Sequence, residues 1–180
     1  MKLWRVVGFD DSFKGDLAYL VGCITCKDYV EGFLIDRIEV DGTDVSEKIV
    51  KLISESRFKE QIRCILLSGL TFAGFNLADL DYIHDKLGIP IVVVLERYPD
   101  MEKIEKALKN FEDFEERMDL IRNAGEIKSV YGVYVQLKGC DENFAEKILK
   151  LTVRKGKVPE PLRIAHLVAS ALIHKESKRR

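Results

Sequence analysis

Asp10 and Asp11 end an apolar run, Val6-Val7-Gly8-Phe9, and two further acids, Asp41 and Asp44, stand in "VDGTD". Carboxylates at the end of a buried strand are costly unless they are paired, solvated or bound to a cation. Several gathered at one sheet edge repel one another. A hard divalent cation such as Mg²⁺, which takes oxygen ligands and keeps several waters, relieves that repulsion. The chemistry of such a site is metal-assisted hydrolysis. Singly, each acid also has an ordinary role: Asp44 as a helix cap, "VDGTD" as a turn in which Gly42 supplies the backbone angles. His166 lies on a narrow polar stripe, Arg163-His166-Ser170-His174, of a helix that is otherwise apolar on nearly every side. Such a helix is expected to be largely buried, with its stripe toward solvent or a wet cleft. A single His there also fits a structural role.

Positioning these residues is the task of the elements between them. Strand-like runs at about 3–10, 16–26 and 30–40 are joined by short links, "DSFKG" and "KDYV", which favour an antiparallel meander. Helical spacing then sets in, with Val45, Ile49, Leu52 and Ile53 on one face. Asp44 is placed as its N-cap, and Glu47 completes a capping-box pattern. "IRCILLSGL" reads as a buried strand, followed by "TFAGF" and a helix over about 76–87. "IPIVVVLE" is a second buried strand, covered on both faces as in parallel sheets. Helices at about 101–110 and 112–124, a strand "VYGVYVQL", and helices at about 142–152 and 161–175 complete the chain. The order β-β-β-α-β-α-β predicts an α/β, ribonuclease H-like mixed sheet with flanking helices, in which the first and fourth strands are central neighbours. Asp10 would then stand at the carboxyl end of a central strand, where open α/β sheets bind ligands.

The 180 residues suggest one domain, 1–180, and 47% hydrophobic residues suffice for a core. Lys and Arg (29) nearly balance Asp and Glu (30), so phosphate binding must come from a local patch, such as the tail "HKESKRR". No apolar run approaches the ~20 residues of a membrane span, and no signal-peptide pattern opens the chain; a cytoplasmic protein is expected. Cys23 and Cys26 form a CxxC, but on a strand residues three apart face opposite ways, so these read as small buried residues. No GxGxxG follows the first strand and no GxxxxGK[ST] occurs, which removes support for dinucleotide and P-loop nucleotide binding.

"VPEPLRIAH" (158–166) resembles the C-terminal motif of endonuclease V, a Pro-Glu-Pro leading into a helix with Arg-x-Ala and then His or Asp. "VVGFDDSF" resembles the same family's first strand, Gly-x-Asp. "ILLSGLTFAGFN" and "LGIPIVVVLER" resemble its middle segment, a strand, glycine turn and helix, then a strand ending in Lys. Over nearly its full length the chain is most similar to a related archaeal family, endonuclease dU, for which "VDGTD" and "FAGFN" look characteristic.

The resemblance implies a Mg²⁺-dependent endonuclease (Mn²⁺ able to substitute) that cuts DNA near an altered base, deoxyuridine, in repair. Asp10 matches the first metal-binding aspartate and His166 the C-terminal metal-site residue. Asp44 is taken as the second acid, with Asp41 the alternative. Asp10, Asp44 and His166 are thus the expected catalytic residues, and Asp10, Asp41, Asp44 and His166 the expected metal set. Arg97, or Glu96, falls near the family's strand-end lysine, and Arg97 is expected to bind phosphate. The chain departs from endonuclease V at Ser68, where that family has a metal-binding aspartate. Either Asp11, Asp41 or Asp79 replaces it, or the metal is held weakly, or this chain does not cleave in the same way. Reading an altered base requires flipping it out. Phe72, Ala73, Gly74, Phe75 and Asn76 are expected to wall its pocket, or else to form a packed turn with Asn76 capping the next helix. A non-catalytic nucleic-acid-binding protein and a small-molecule hydrolase are the rival readings, and the oligomeric state is left open.

Overall fold

Alternation decides where the side chains of the first strand go. In the computed structural model, which describes residues 4–179, Arg5–Lys14 forms β1, and its odd and even positions face opposite ways. Val7 and Phe9 enter one buried cluster and Val6 another. The expected strand start at residue 3 and the last residue of the basic tail lie outside the described residues. Two-residue links carry the chain into β2 (Leu17–Cys26) and β3 (Tyr29–Arg37). Then come α1 (Val45–Ser54), β4 (Ile62–Leu67), a small hairpin of β5 (Thr71–Phe72) and β6 (Asn76–Leu77), α2 (Leu80–Leu87) and β7 (Ile91–Leu95). The chain continues through α3 (Met101–Leu108), α4 (Phe114–Asn123), the hairpin β8 (Lys128–Val130) and β9 (Val133–Lys138), α5 (Glu142–Thr152) and α6 (Glu160–His174).

Seven strands form one sheet in the order β3-β2-β1-β4-β7-β9-β8. β4 runs parallel to both β1 and β7, and the outer pairs are antiparallel. This is the expected ribonuclease H-like arrangement, with β1 and β4 as central neighbours. One face buries Val7, Phe9, Leu67 and Val93 with Ile49 of α1 and Ile83 of α2. The other buries Val6, Leu66 and Val92 with Ile148 of α5 and Leu162 of α6, and Val21 and Cys23 with Ala165 and Ala169. Cys23 and Cys26 are buried free thiols. Burial pushes the Cys23 thiol up to about 12, which keeps it protonated.

Three boundaries and one burial pattern differ from the sequence expectation, each for a physical reason. β1 does not stop at Asp10 and Asp11: it runs on to Lys14 in antiparallel pairing with β2, while its parallel ladder with β4 ends at Phe9. The run "VYGVYVQL" is split, because Tyr131 (φ 49°) and Gly132 (φ 79°) make a two-residue turn between β8 and β9. The helix expected from 76 begins at Leu80, where the Asp79 carboxylate accepts the Tyr82 N–H at 3.0 Å. Lastly, α6 is not buried all round: it lies over β1 and β2 with part of its outer side open, so Leu172 is 42% exposed. Ser170, expected on a wet stripe, is instead buried, its hydroxyl donating to the Leu167 carbonyl at 3.1 Å and accepting the Lys178 N–H at 3.0 Å.

Gly8 determines how closely α6 approaches the sheet. A Cβ built there would lie 2.8 Å from the Leu162 nitrogen and the Pro161 carbonyl carbon, and 2.9 Å from Pro161 Cβ. The Pro-Glu-Pro turn is thus packed against the bare backbone of β1. Pro159 and Pro161 cost nothing at a helix start, whose first N–H groups have no intrahelical partner. Gly8→Ala forces backbone against backbone and is expected to destabilise by about 1–3 kcal/mol. Thermal unfolding measures this directly, with a Tm drop of roughly 2–4 °C for each kcal/mol in a chain of this size.

Candidate active site

Two residues along β1 from Gly8, on the same face, stands Asp10. Five residues along α6 from Pro161 stands His166. The close approach at Gly8 therefore brings the two together, Asp10 Oδ2 lying 3.3 Å from His166 Nδ1. Asp10 is 6% exposed; its Oδ1 accepts the Asp11 N–H at 2.8 Å, whereas Oδ2 is buried and, among the described residues, accepts no hydrogen bond. A buried carboxylate oxygen with an imidazole beside it suits a divalent cation.

Asp11 points to the opposite face, where its Oδ2 accepts the Ala73 N–H at 2.8 Å. Burial pushes this carboxyl up to about 6; the Asp10 charge adds to the rise, and the Ala73 N–H and His166 oppose it. A carboxyl whose folded pKa lies above its unfolded value of 3.8 makes the fold less stable as pH rises from about 4 to about 6. Asp11→Asn keeps an acceptor for Ala73 and removes that titration. In chelator, the variant's Tm should gain on that of the wild type across this interval and stay above it at pH 7; parallel Tm curves would refute the assignment.

The two loops singled out in the sequence are bound to each other. The Asp41 N–H donates to the Ala73 carbonyl at 2.8 Å, and Asp41 Oδ1 accepts the Phe75 N–H at 2.8 Å. Gly74 has φ 84°, and a Cβ there would collide with the Asp41 carboxylate, so only glycine fits. Asn76 is fully buried. Its Nδ2 donates to the Glu39 carbonyl at 2.9 Å and Asp44 Oδ1 at 2.7 Å, and its Oδ1 accepts the Val45 N–H at 3.1 Å. Asn76 thus serves the start of α1, not the helix that follows it. Asp44 occupies the N-cap position of α1, but its Oδ1 takes the Glu39 N–H and the Asn76 amide instead of a helix N–H, so the expected capping box is not formed.

The four expected metal residues consequently do not share one cluster. Asp10 and His166 meet; Asp41 and Asp44 each have a carboxylate oxygen committed to the paired loops. Among the described residues no group of three His, Cys, Asp or Glu is arranged to hold a metal. Asp79 caps α2. The expected base wall is likewise divided: Phe72 is in the core and Asn76 is engaged as above, while Gly74 and Phe75 are half-buried. Arg97 is exposed just past β7 and lines a 360 Å³ cleft with Glu96, Tyr98, Tyr134 and Lys157.

Two features were missed. Arg117 of α4, only 6% exposed, donates to the carbonyls of Phe75 (2.5 Å), Asp41 (2.9 Å) and Gly42 (3.4 Å), and through Nε to Asp113 Oδ1 (2.7 Å). Its guanidinium also lies 4.3 Å from the centre of the Phe111 ring. It clamps both loops at once. In sequence it shows only an ordinary i,i+4 pair with Asp113. The second is a 410 Å³ pocket beside Ser68, walled by Leu95, Ile104, Met118 and Ile121, with Gln136 and Arg122 as polar members. Its apolar residues lie at helical spacing and read as core.

The model of the family described as endonuclease dU matches residues 2–173. The chain belongs to the endonuclease dU family. Among its relatives, the UPF0215 protein of Archaeoglobus fulgidus is 47% identical over 178 residues, 99% of this chain and 98% of that one. The UPF0215 protein of Pyrococcus furiosus is 43% identical, covering 97% and 95%. A crystal structure of an Archaeoglobus fulgidus protein of unknown function matches with TM-score 0.93 and 46% identity, over 95% of this chain and 99% of that chain. Human endonuclease V matches with TM-score 0.62 over 96% and 85% of the two chains, at 15% identity, so the endonuclease dU chain shares the endonuclease V fold. Endonuclease V of Ciona intestinalis, solved in complex with a 23mer DNA containing inosine, matches with TM-score 0.63 over 97% and 87%, at 14% identity. Family and fold together support a nuclease.

Proposed function

We propose that this endonuclease dU protein is a divalent-metal-dependent DNA endonuclease that hydrolyses a phosphodiester near deoxyuridine, leaving a 3′-hydroxyl, as a step of DNA repair. The observation that carries this reading is Asp10 Oδ2, buried and accepting no hydrogen bond among the described residues, 3.3 Å from His166 Nδ1 at the carboxyl edge of the central strands. Mg²⁺, or Mn²⁺ in its place, fits these two donors, and such an ion keeps several waters in its remaining positions. A bound divalent ion offsets charge at the phosphate and lowers the pKa of water. The chain's own residues supply the rest. Asp10 is oriented by the Asp11 N–H, and His166 is held against Asp10 by the packing at Gly8. Arg97 and Lys157 present positive charge to the DNA backbone on the same sheet edge. The 410 Å³ pocket beside Ser68 takes the flipped base between Met118 and Leu95, with Gln136 and Arg122 toward its polar edge. Among the described residues no helix is long and apolar enough to cross a membrane, and a cytoplasmic location fits a DNA substrate.

Incision of a fluorescent duplex carrying deoxyuridine, inosine or neither, with Mg²⁺ and with chelator, tests the reading. Metal-dependent cutting of the deoxyuridine strand is expected. Retention of the duplex without cutting, in Mg²⁺ and in Mn²⁺, would favour a binding protein, the reading that Ser68 supports by standing where endonuclease V has a carboxylate. Ser68→Asp separates the two. In a competent site the added charge meets Asp10 and raises a carboxyl pKa, so incision falls or barely changes, which is the expected outcome. A rise of about tenfold, equivalent to ~1.4 kcal/mol, would mark a weakened site regaining a ligand.

A further inference from the structure

The two edges of the sheet are handled differently. β8, at one edge, has three residues. β3, at the other, has nine. It exposes Tyr29 (75%), Val30, Phe33 and Ile35 (43% each). Proteins blunt open edges with short strands, prolines or charges, and a long apolar edge is a template for another strand. Phe33 and Ile35 pair with Cys23 and Val21 of β2, whose side chains lie under α6. The two exposed residues therefore project from the same face of the sheet, just beyond the helix that covers their neighbours. A register shift in β2–β3 between Ile24 and Thr25 makes Glu31 an extra residue, leaving Gly32–Arg37 as the regular stretch.

We propose that β3 is a homodimer interface, in which two copies pair their β3 strands antiparallel about Leu34 and join their sheets edge to edge. The self-complementarity of the strand points to a second copy. With the two-fold axis at Leu34, Phe33 of each chain stands opposite Ile35 of the other, an aromatic–β-branched cross-strand pair made twice. No charge interrupts 33–35. Asp36, which would stand opposite Gly32, is turned toward Lys48 at 3.0 Å and adds no repulsion across the axis.

Sedimentation velocity at about 1–100 µM protein, spanning micromolar dissociation constants, tests this. The wild type should sediment as two chains. Phe33→Glu and Ile35→Lys should each sediment as one chain, with unchanged circular dichroism, since both positions are exposed. Mixed in equal amounts, the two variants should associate again, because the register sets the new carboxylate of one against the new ammonium of the other while the second Phe33–Ile35 pair survives. A wild type that is monomeric at 100 µM, a dimer that survives both substitutions, or variants that stay apart on mixing would each overturn the proposal. If either charge variant fails to fold, Ile35→Thr, which keeps β-branching and removes apolar surface, must still weaken the wild-type dimer.

Discussion

Asp10→Asn is expected to abolish incision by the endonuclease dU protein, lowering the rate by more than about a thousandfold, ~4 kcal/mol in barrier, while the fold persists. The amide is nearly isosteric with the carboxylate. Its carbonyl oxygen can still accept the Asp11 N–H that now binds Oδ1 at 2.8 Å, and its NH₂ can donate to His166 Nδ1 from the position of Oδ2. The fold therefore loses no hydrogen bond, and replacing a buried charge by a neutral amide is not costly. The negative charge that would attract a divalent cation is lost. Two measurements separate fold from function. Circular dichroism and thermal unfolding in chelator should match the wild type. Titrating Mn²⁺ should raise the wild-type Tm to saturation, as any ligand that binds only the folded state does, and leave the variant unmoved. A folded Asp10→Asn protein that cuts near the wild-type rate would remove Asp10 from the site.

Arg117→Met should have the second large effect, for a different reason. Methionine fills much of the volume but removes every donor. The partly buried Phe75, Asp41 and Gly42 carbonyls lose the guanidinium bonds, and a hydrogen bond to a charged group contributes about 1.5–3 kcal/mol. The Asp113 carboxylate, held below the usual range by its hydrogen bond to Arg117, loses its partner too, though it is exposed enough that this part is small. A total near 3–5 kcal/mol is expected, the usual result of breaking a buried charged network from one side. Unfolding in urea should show it as a lower midpoint at unchanged slope. Incision should fall further than stability alone explains, because Arg117 holds both the loop of Asp41 and Asp44 and the loop Ala73–Asn76, and Ala73 in turn bonds Asp11 beside Asp10. Arg117→Lys keeps the charge but cannot span three carbonyls, so it should lie between the wild type and Arg117→Met in both stability and rate. Wild-type behaviour of Arg117→Met would show that the paired loops hold without the clamp.

Local rules made most of the secondary structure legible before any tertiary contact was known. Period-two and period-3.6 patterns placed most of the strands and helices, because burial of one face is written into the spacing of apolar residues. Three strands on short links followed by strand–helix crossovers left few topologies, so the central β1–β4 pair and the place of Asp10 beside it were legible. The motif singled out His166, and α6 does bring it to within 3.3 Å of Asp10. The expectations that changed are those decided by partners distant in the chain. β1 continues past two acids because β2 supplies hydrogen bonds out to Lys14. Asp44 and Asn76 read as caps for their own helices, yet they bind each other across 32 residues of sequence. Phe72 reads as a stacking platform, and the sheet buries it. Arg117 shows a surface pattern in sequence; only the tertiary structure brings three carbonyls from two remote loops to its guanidinium. Periodicity reports which way a side chain faces, whereas the partner of a polar atom is chosen in three dimensions, by whichever donor or acceptor the folded backbone brings within 3 Å.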